Sequence, residues 1–75
     1  MTDTSFPDHA PRAGEIGPAL RAARRRLGLT QQEVADLAGL SDRTVRDLEK
    51  GSTSPSLGAV LAVARVLGLR VEVTG

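Results

Sequence analysis

The segment SDRTVRDLEK, residues 41–50, concentrates the side chains of this sequence that are best suited to binding chemistry. At about 100° per residue on a helical wheel, Arg43 and Arg46 lie together on one side. Val45 and Leu48 lie opposite them, so the arginines face solvent when the apolar pair faces a core. An exposed guanidinium donates two parallel hydrogen bonds to guanine O6 and N7 in the major groove. The spacing therefore predicts a helix with nucleic-acid-binding chemistry on its outer face.

Further polar side chains extend this candidate surface along the same helix and the helix before it. The predicted base contacts are Arg43, Arg46, Asp42 and Ser41. A phosphate is the alternative for Arg46, which lies one turn further from the helix N-terminus than Arg43. The start of a helix suits phosphate, because its first N–H groups have no internal acceptor. The predicted phosphate contacts are Gln31, Gln32, Thr44, Lys50, Thr53 and Ser54. Together these residues indicate double-stranded DNA as the partner.

Two carboxylates on the same helix, those of Asp42 and Asp47, are repelled by phosphate and need an explanation. Asp42 lies near the helix N-terminus, where the helix dipole favours a negative charge. Each aspartate also has an arginine four residues away, which pairs Asp42 with Arg46 and Arg43 with Asp47. A third interpretation is a hydrogen bond accepted from cytosine N4. We favour the ion pairs, because they also hold the arginines in position.

Two consecutive predicted helices position this surface. Thr30 and Glu33 have the spacing of a capping box at the start of the first of them. Gly39 allows the turn between the two helices, because glycine accepts a positive φ, and Ala35 is small where they cross. The remaining core positions are Val34, Ala38, Leu40, Val45 and Leu48. This spacing is typical of a helix-turn-helix motif; a helical hairpin without a DNA-binding function is the alternative.

One predicted helix precedes this pair and one follows it. The first runs from Ile16 to about Leu27, and the last runs from about Leu57 to Leu67. The inward residues predicted for the first, second and last helices are Ile16, Leu20, Ala23, Leu27, Leu37, Leu57, Val60, Leu61 and Ala64. A second apolar face on the last helix consists of Ala59, Ala62, Val63 and Val66. A helix that is apolar nearly all round is buried against something, so this face predicts a partner.

The end of the chain, residues 69–75, alternates apolar and polar residues and therefore predicts a short strand. A lone strand leaves its N–H and C=O groups unpaired, so we expect it to pair with the same strand of a second copy about a two-fold axis. A frayed tail on a monomer is the alternative. The predicted dimer interface comprises Val63, Val66, Leu69, Val71 and Val73.

Composition limits the remaining possibilities. The chain has 75 residues, no Cys and a single His, so a disulfide is excluded and a metal site or a catalytic constellation is not expected. Residues 1–14 lack an apolar period and are predicted to be a flexible arm, followed by a DNA-binding domain over 15–68. That domain is mildly basic. No stretch is apolar enough to span a membrane. We therefore expect a cytoplasmic, non-enzymatic protein without a cofactor or a small-molecule substrate.

Residues 15–68 resemble the phage-repressor-like, or XRE-type, helix-turn-helix family, which implies a compact all-α domain of four helices. In that family a basic residue of the first helix pairs with a glutamate at the end of the recognition helix. The matching residues are Arg24 and Glu49, so the resemblance implies a structural ion pair between them.

The final segment, SLGAVLAVARVLGLRVEV, is similar to HipB-type antitoxins, whose dimer closes through a two-chain sheet. This resemblance implies a homodimeric repressor that binds the operator of its own toxin–antitoxin operon and neutralises a HipA-like kinase toxin. A stand-alone XRE-type regulator and a toxin-binding module with little DNA affinity are the alternatives.

Overall fold

The computed structural model describes residues 13–52 and 54–71. These residues form four helices: α1 (Ala13–Arg26), α2 (Gln31–Ala38), α3 (Asp42–Glu49) and α4 (Leu57–Val66). α3 packs against each of the other three helices, and α2 also packs against α4. The predicted all-α, four-helix fold is confirmed. No strand occurs within the described ranges. The arm predicted over 1–14 is wrong at positions 13 and 14, which belong to α1; the rest of that arm and the last four positions of the predicted strand lie outside the described ranges.

Local sequence fixes where α2 begins and ends. The Thr30 hydroxyl accepts the Glu33 N–H at 3.0 Å, and the Glu33 carboxylate accepts the Thr30 N–H at 2.8 Å, so the predicted capping box is confirmed. Gly39 has φ 73°, and the next residue, Leu40, donates its N–H back to the Ala35 carbonyl at 2.9 Å. This left-handed turn satisfies the last carbonyls of α2 and sends the chain directly into α3.

The core lies where α1, α2 and α4 surround α3. Its fully enclosed side chains, Val34, Ala35 and Val45, have no exposed surface. The other buried apolar residues are Leu20, Ala23, Leu48, Ala59, Val63, Ala64 and Leu67. Ala35 is buried as the predicted helix crossing requires, since a larger side chain at that position would separate the helices. The predicted inward face of α3 is confirmed.

The inward face predicted for α4 is wrong in part. Leu57 and Leu61 are exposed, at 69% and 39%, whereas Ala59 and Val63 from the supposed second face are buried in the core. α4 is apolar nearly all round, so the wheel gives no contrast between its faces. Packing against α2 and α3 decides the orientation.

Leu27 and Leu37, also predicted to face inward, are exposed at 55% and 66%. Leu27 follows the last residue of α1 and lies in the turn, where the helical wheel no longer applies. In α2 the buried residues are Val34 and Ala35. Because this side of the helix faces the core, Leu37 faces solvent.

A close approach between α1 and the end of α3 occurs at Gly17. A Cβ atom built on Gly17 would lie 2.7 Å from the Glu49 carbonyl oxygen and 2.8 Å from the Gly51 nitrogen. Real Cβ atoms do not come this close to backbone atoms, so only glycine fits. The residue sets how near α1 lies to α3 and therefore helps to orient α3.

Candidate nucleic-acid interface

α3 has two chemically distinct sides. Val45 and Leu48 are buried at 0% and 4% exposure, which fixes one side against the core. Arg43 and Arg46 are exposed on the other side. The structure therefore brings both arginines to one solvent-facing surface, in the arrangement that groove contact requires.

The start of α3 is organised by Ser41 and Thr44. The Ser41 hydroxyl accepts the Thr44 N–H at 3.1 Å, and the two hydroxyl oxygens lie 2.9 Å apart. Ser41 is thus the N-cap of α3, which satisfies one of the first N–H groups of the helix. Both hydroxyls lie beside the N-terminal turn that presents Arg43; their predicted contacts with DNA stay predictions.

The predicted pairing between Asp42 and Arg46 is present. Arg46 Nη2 donates to Asp42 Oδ2 at 2.9 Å, and the side chains of Arg46 and Asp42 are 48% and 42% exposed. No ion pair joins Arg43 to Asp47 within the residues described, so that second predicted pair is absent. The two arginines consequently differ: Arg46 is held by a carboxylate, and Arg43 extends without one.

A buried network holds the C-terminal end of α3. Arg24 Nε donates to Glu49 Oε2 at 2.6 Å and Arg24 Nη2 donates to Glu49 Oε1 at 3.1 Å. Arg24 Nη1 also donates to the Leu29 carbonyl at 2.7 Å. The ion pair that the family resemblance implied is therefore present. The hydrogen bond to Glu49 raises the pKa of the Arg24 guanidinium, against the lowering effect of burial.

Gln31 joins the same network, which sequence reasoning missed. Its side-chain amide donates to Glu49 Oε1 at 3.1 Å, while the Gln32 amide donates to Asp36 Oδ1 at 2.8 Å. Both glutamine side chains thus have internal partners, and at the start of α2 it is the main-chain N–H groups that suit phosphate. No local pattern signals the Gln31 contact, because its partner lies 18 positions away.

The remaining predicted phosphate contacts follow α3. Lys50 ends the helix and is exposed, with its N–H donated to the Arg46 carbonyl at 3.1 Å. Ser54 is exposed, and its N–H donates to the Ser52 hydroxyl at 3.1 Å. Thr53 lies outside the described residues. Within the described ranges no group of His, Cys, Asp and Glu side chains is arranged to hold a metal ion.

The predicted dimer contacts do not share one surface. Val63 is 1% exposed in the core of the single chain, so its side chain is not available to a partner. Val66 is half-buried against the core, whereas Leu69 and Val71 are exposed at 37% and 44%. Val73 lies outside the described residues. A candidate interface on α4 and the following segment therefore retains Val66, Leu69 and Val71.

Comparisons with known proteins agree with this geometry. The helix-turn-helix family model matches residues 20–73. The chain is 47% identical over 49 residues to an uncharacterized HTH-type transcriptional regulator of Methanothermobacter thermautotrophicus, covering 65% of this chain and 71% of that protein. It is 38% identical over 57 residues to the immunity repressor protein of Bacillus phage phi105, covering 76% of this chain and 40% of that repressor.

Solved structures share the fold. The restriction-modification controller protein C.AhdI from Aeromonas hydrophila matches with a TM-score of 0.69 and 33% identity, over 77% of this chain and 88% of that one. A chain of the HipA-HipB-O2-O3 complex matches with a TM-score of 0.78 and 20% identity, over 88% of this chain and 93% of that one. None of the described helices has the length and apolar content needed to cross a bilayer.

Proposed function

This chain belongs to the XRE-type helix-turn-helix family of transcriptional regulators, and on that premise we propose that it is a sequence-specific repressor whose α3 enters the major groove of operator DNA. The observation that carries the proposal is the division of α3 into a fixed inner side and an outer side bearing Arg43 and Arg46. An α-helix fits the major groove, where its N-terminal residues meet base edges. Similarity to a phage immunity repressor supports repression as the outcome.

In this arrangement, base recognition comes from the first two turns of α3 and affinity from its surroundings. Arg43, the less constrained arginine, contacts guanine, and Ser41 lies beside it. Phosphate contacts come from the main-chain N–H groups at the start of α2 and from Lys50. The other phosphate contacts proposed from the sequence are Thr44, Thr53 and Ser54.

DNA binding tests the proposal through its salt dependence. Binding of the purified chain to the DNA upstream of its own gene is measured by fluorescence anisotropy at several salt concentrations. We expect log K to fall by roughly 0.9 per phosphate neutralised for each unit of log salt. Equal affinity for the upstream duplex and for a scrambled duplex, with a flat salt response, contradicts the proposal.

Arg43→Ala tests the assigned base contact. We expect it to weaken binding to the upstream duplex by roughly 1 to 3 kcal/mol and to relax the preference at one base position. Arg65→Ala is the matched control, because Arg65 is also exposed but lies on α4. A base preference that is as unchanged in Arg43→Ala as in Arg65→Ala would place base recognition elsewhere.

We further propose that the chain acts as a homodimer, because two recognition helices bind adjacent major grooves about 34 Å apart. We place the contact between the two copies at the segment directly after α4. Leu69 and Val71 support this joint, since both are exposed apolar side chains there. Val71→Asp is expected to give a monomer in sedimentation velocity, while Leu27→Asp, which places the same charge at an exposed leucine after α1, leaves the dimer intact. A Val71→Asp dimer contradicts this joint.

The more specific proposal is an antitoxin that represses its own operon and neutralises a HipA-like kinase toxin. It is supported by the final segment of the sequence and by the fold shared with a chain of the HipA-HipB-O2-O3 complex. The test is coexpression with a HipA-like kinase encoded beside this chain's gene. Undiminished toxicity, or no such neighbouring gene, favours the stand-alone regulator; neutralisation by a chain that does not bind DNA favours the interaction module.

A further inference from the structure

The exposed pair on the first two turns of α3 points to a recognition role of its own. We propose that Asp42 and Arg46 act as one recognition unit, in which Arg46 donates to a guanine while Asp42 accepts from the amino group of a neighbouring base. That amino group is cytosine N4 or adenine N6. This inference rests on the proposed function and specifies which base chemistry the site selects.

The ion pair leaves hydrogen-bonding groups of both residues unused. A guanidinium has five N–H donors, and Arg46 uses only Nη2 toward Asp42. Enough donors remain for a bidentate contact with guanine O6 and N7. Asp42 accepts through Oδ2 alone, and its Oδ1 accepts no hydrogen bond from the described part of the chain. The pair therefore presents donors and an acceptor side by side.

The pair also lies at the N-terminal end of α3. Asp42 opens α3 immediately after the Ser41 cap, and Arg46 lies one turn later on the same side. The N-terminal residues of a recognition helix are those that approach base edges. Both side chains are nearly half exposed, so neither is covered by the protein and both are available to DNA.

Electrostatics explains why the two residues act together. An unpaired carboxylate in the groove is repelled by the phosphates, but pairing with Arg46 leaves the unit with no net charge. Beside guanine O6 or thymine O4, the free Asp42 oxygen would face another acceptor and remain without a donor, which is unfavourable once water is displaced. The unit therefore adds discrimination against these bases and adds little affinity, in contrast to Arg43, which has no carboxylate partner.

The experiment selects binding sites from duplexes that carry a randomised core and compares the wild-type chain with variants of α3. Wild-type chain is expected to select a guanine next to cytosine or adenine. Asp42→Ala should lower discrimination at the amino-bearing base by roughly 5- to 150-fold. It should also tighten binding to scrambled DNA and steepen the salt dependence by about 0.9, because the released Arg46 neutralises a phosphate. Asp47→Ala, which removes the same charge from the same helix without breaking an ion pair, should keep the wild-type base preference.

Arg46→Ala and the Asp42→Ala/Arg46→Ala double variant test whether the two residues form a unit. The double variant should discriminate no worse than Arg46→Ala alone, because Asp42 is effective only when paired; independent contributions would multiply. Asp42→Asn keeps the size of the side chain, so it tests the unit if Asp42→Ala unfolds α3. Without the charge it should steepen the salt dependence in the same way, and its amide should shift the base preference toward adenine, whose N6 and N7 suit an amide.

The outcomes distinguish failure of the recognition unit from failure of the proposed DNA-binding function. A wild-type chain that selects no sequence overturns both. A wild-type chain that selects a site, with Asp42→Ala and Asp42→Asn preserving its base preference and salt dependence, overturns the recognition unit alone. Loss of preference in Asp47→Ala equal to that in Asp42→Ala also overturns it, because charge alone would then explain the effect.

Discussion

The buried pair between Arg24 and Glu49 makes the domain sensitive to one nearly isosteric change, Glu49→Gln. The Glu49 carboxylate accepts two hydrogen bonds from Arg24 and one from Gln31, and its side chain is only 4% exposed. A glutamine offers one acceptor oxygen and turns an N–H₂ group toward donors. The substitution therefore leaves the Arg24 charge without its counter-ion and at least one donor facing another donor.

The expected loss is about 3 kcal/mol of the free energy of unfolding. Removing one partner of a buried ion pair costs roughly 3 to 5 kcal/mol. We expect the lower end, because Arg24 is 12% exposed and keeps its hydrogen bond to the Leu29 carbonyl at 2.7 Å. Since a small domain has only about 5 to 15 kcal/mol in total, this loss lowers Tm by about 12 to 24 °C.

Thermal and urea unfolding followed by far-UV circular dichroism measure this loss. Asp42→Asn is the control, because it breaks an arginine–carboxylate pair that is nearly half exposed and should cost less than about 1 kcal/mol. The double variant Arg24→Met/Glu49→Leu should recover most of the loss, since a well-packed apolar pair often replaces a buried ion pair without penalty. A Glu49→Gln loss no larger than that of the control would refute the idea that this pair fixes α3.

The pH dependence of this pair follows from the raised pKa of Arg24, whose main cause is the hydrogen bond to Glu49. A group whose pKa is raised on folding contributes stability below its unfolded pKa and loses it as the pH rises through the folded value. For an arginine both values lie in strong alkali. The Arg24 contribution is therefore constant around neutral pH and is lost only at extreme alkaline pH.

Substitutions at Gly17 and Thr30 test a close backbone contact and a helix cap. Gly17→Ala should lower the free energy of unfolding by roughly 1 to 3 kcal/mol, because its Cβ would overlap the backbone at the end of α3. Gly58→Ala is the control in the same unfolding assay. Its Cβ would meet only a hydroxyl at 3.7 Å, so it should be neutral or stabilising. Thr30→Ala should cost about 1 kcal/mol by removing the cap of α2 while Thr30→Ser restores it, and equal stability of the two variants would contradict the capping assignment.

Features governed by neighbouring residues were the ones that the sequence predicted well. The Thr30–Glu33 capping box and the positive φ of Gly39 depend on contacts within a few positions, so their patterns are visible along the chain. The inner face of α3 was equally clear, because Val45 and Leu48 stand among charged residues. Contrast between the faces of a helix is what makes a wheel informative.

Features governed by packing were missed or misassigned. α4 lacks contrast between its faces, so Val63 was assigned to a partner surface although it lies in the core. The close approach at Gly17 depends on how α1 crosses α3, and no pattern near Gly17 reveals it. Asp47 has the correct spacing for a pair with Arg43 and still forms none among the described residues. Spacing permits an i, i+4 pair, but side-chain entropy opposes it at an exposed site.

Two arginine–carboxylate pairs of the same chemistry thus have different consequences at the two ends of α3. At the C-terminal end, Arg24 and Glu49 are nearly enclosed, and separating them leaves a charge without water, so the pair holds α1 and α3 together. At the N-terminal end, Asp42 and Arg46 are nearly half exposed, and water compensates much of any separation. The unused donors of Arg46 and the free oxygen of Asp42 can therefore exchange water for a base at little cost. Burial fixes the position of the helix at one end, while exposure keeps the proposed recognition chemistry available at the other.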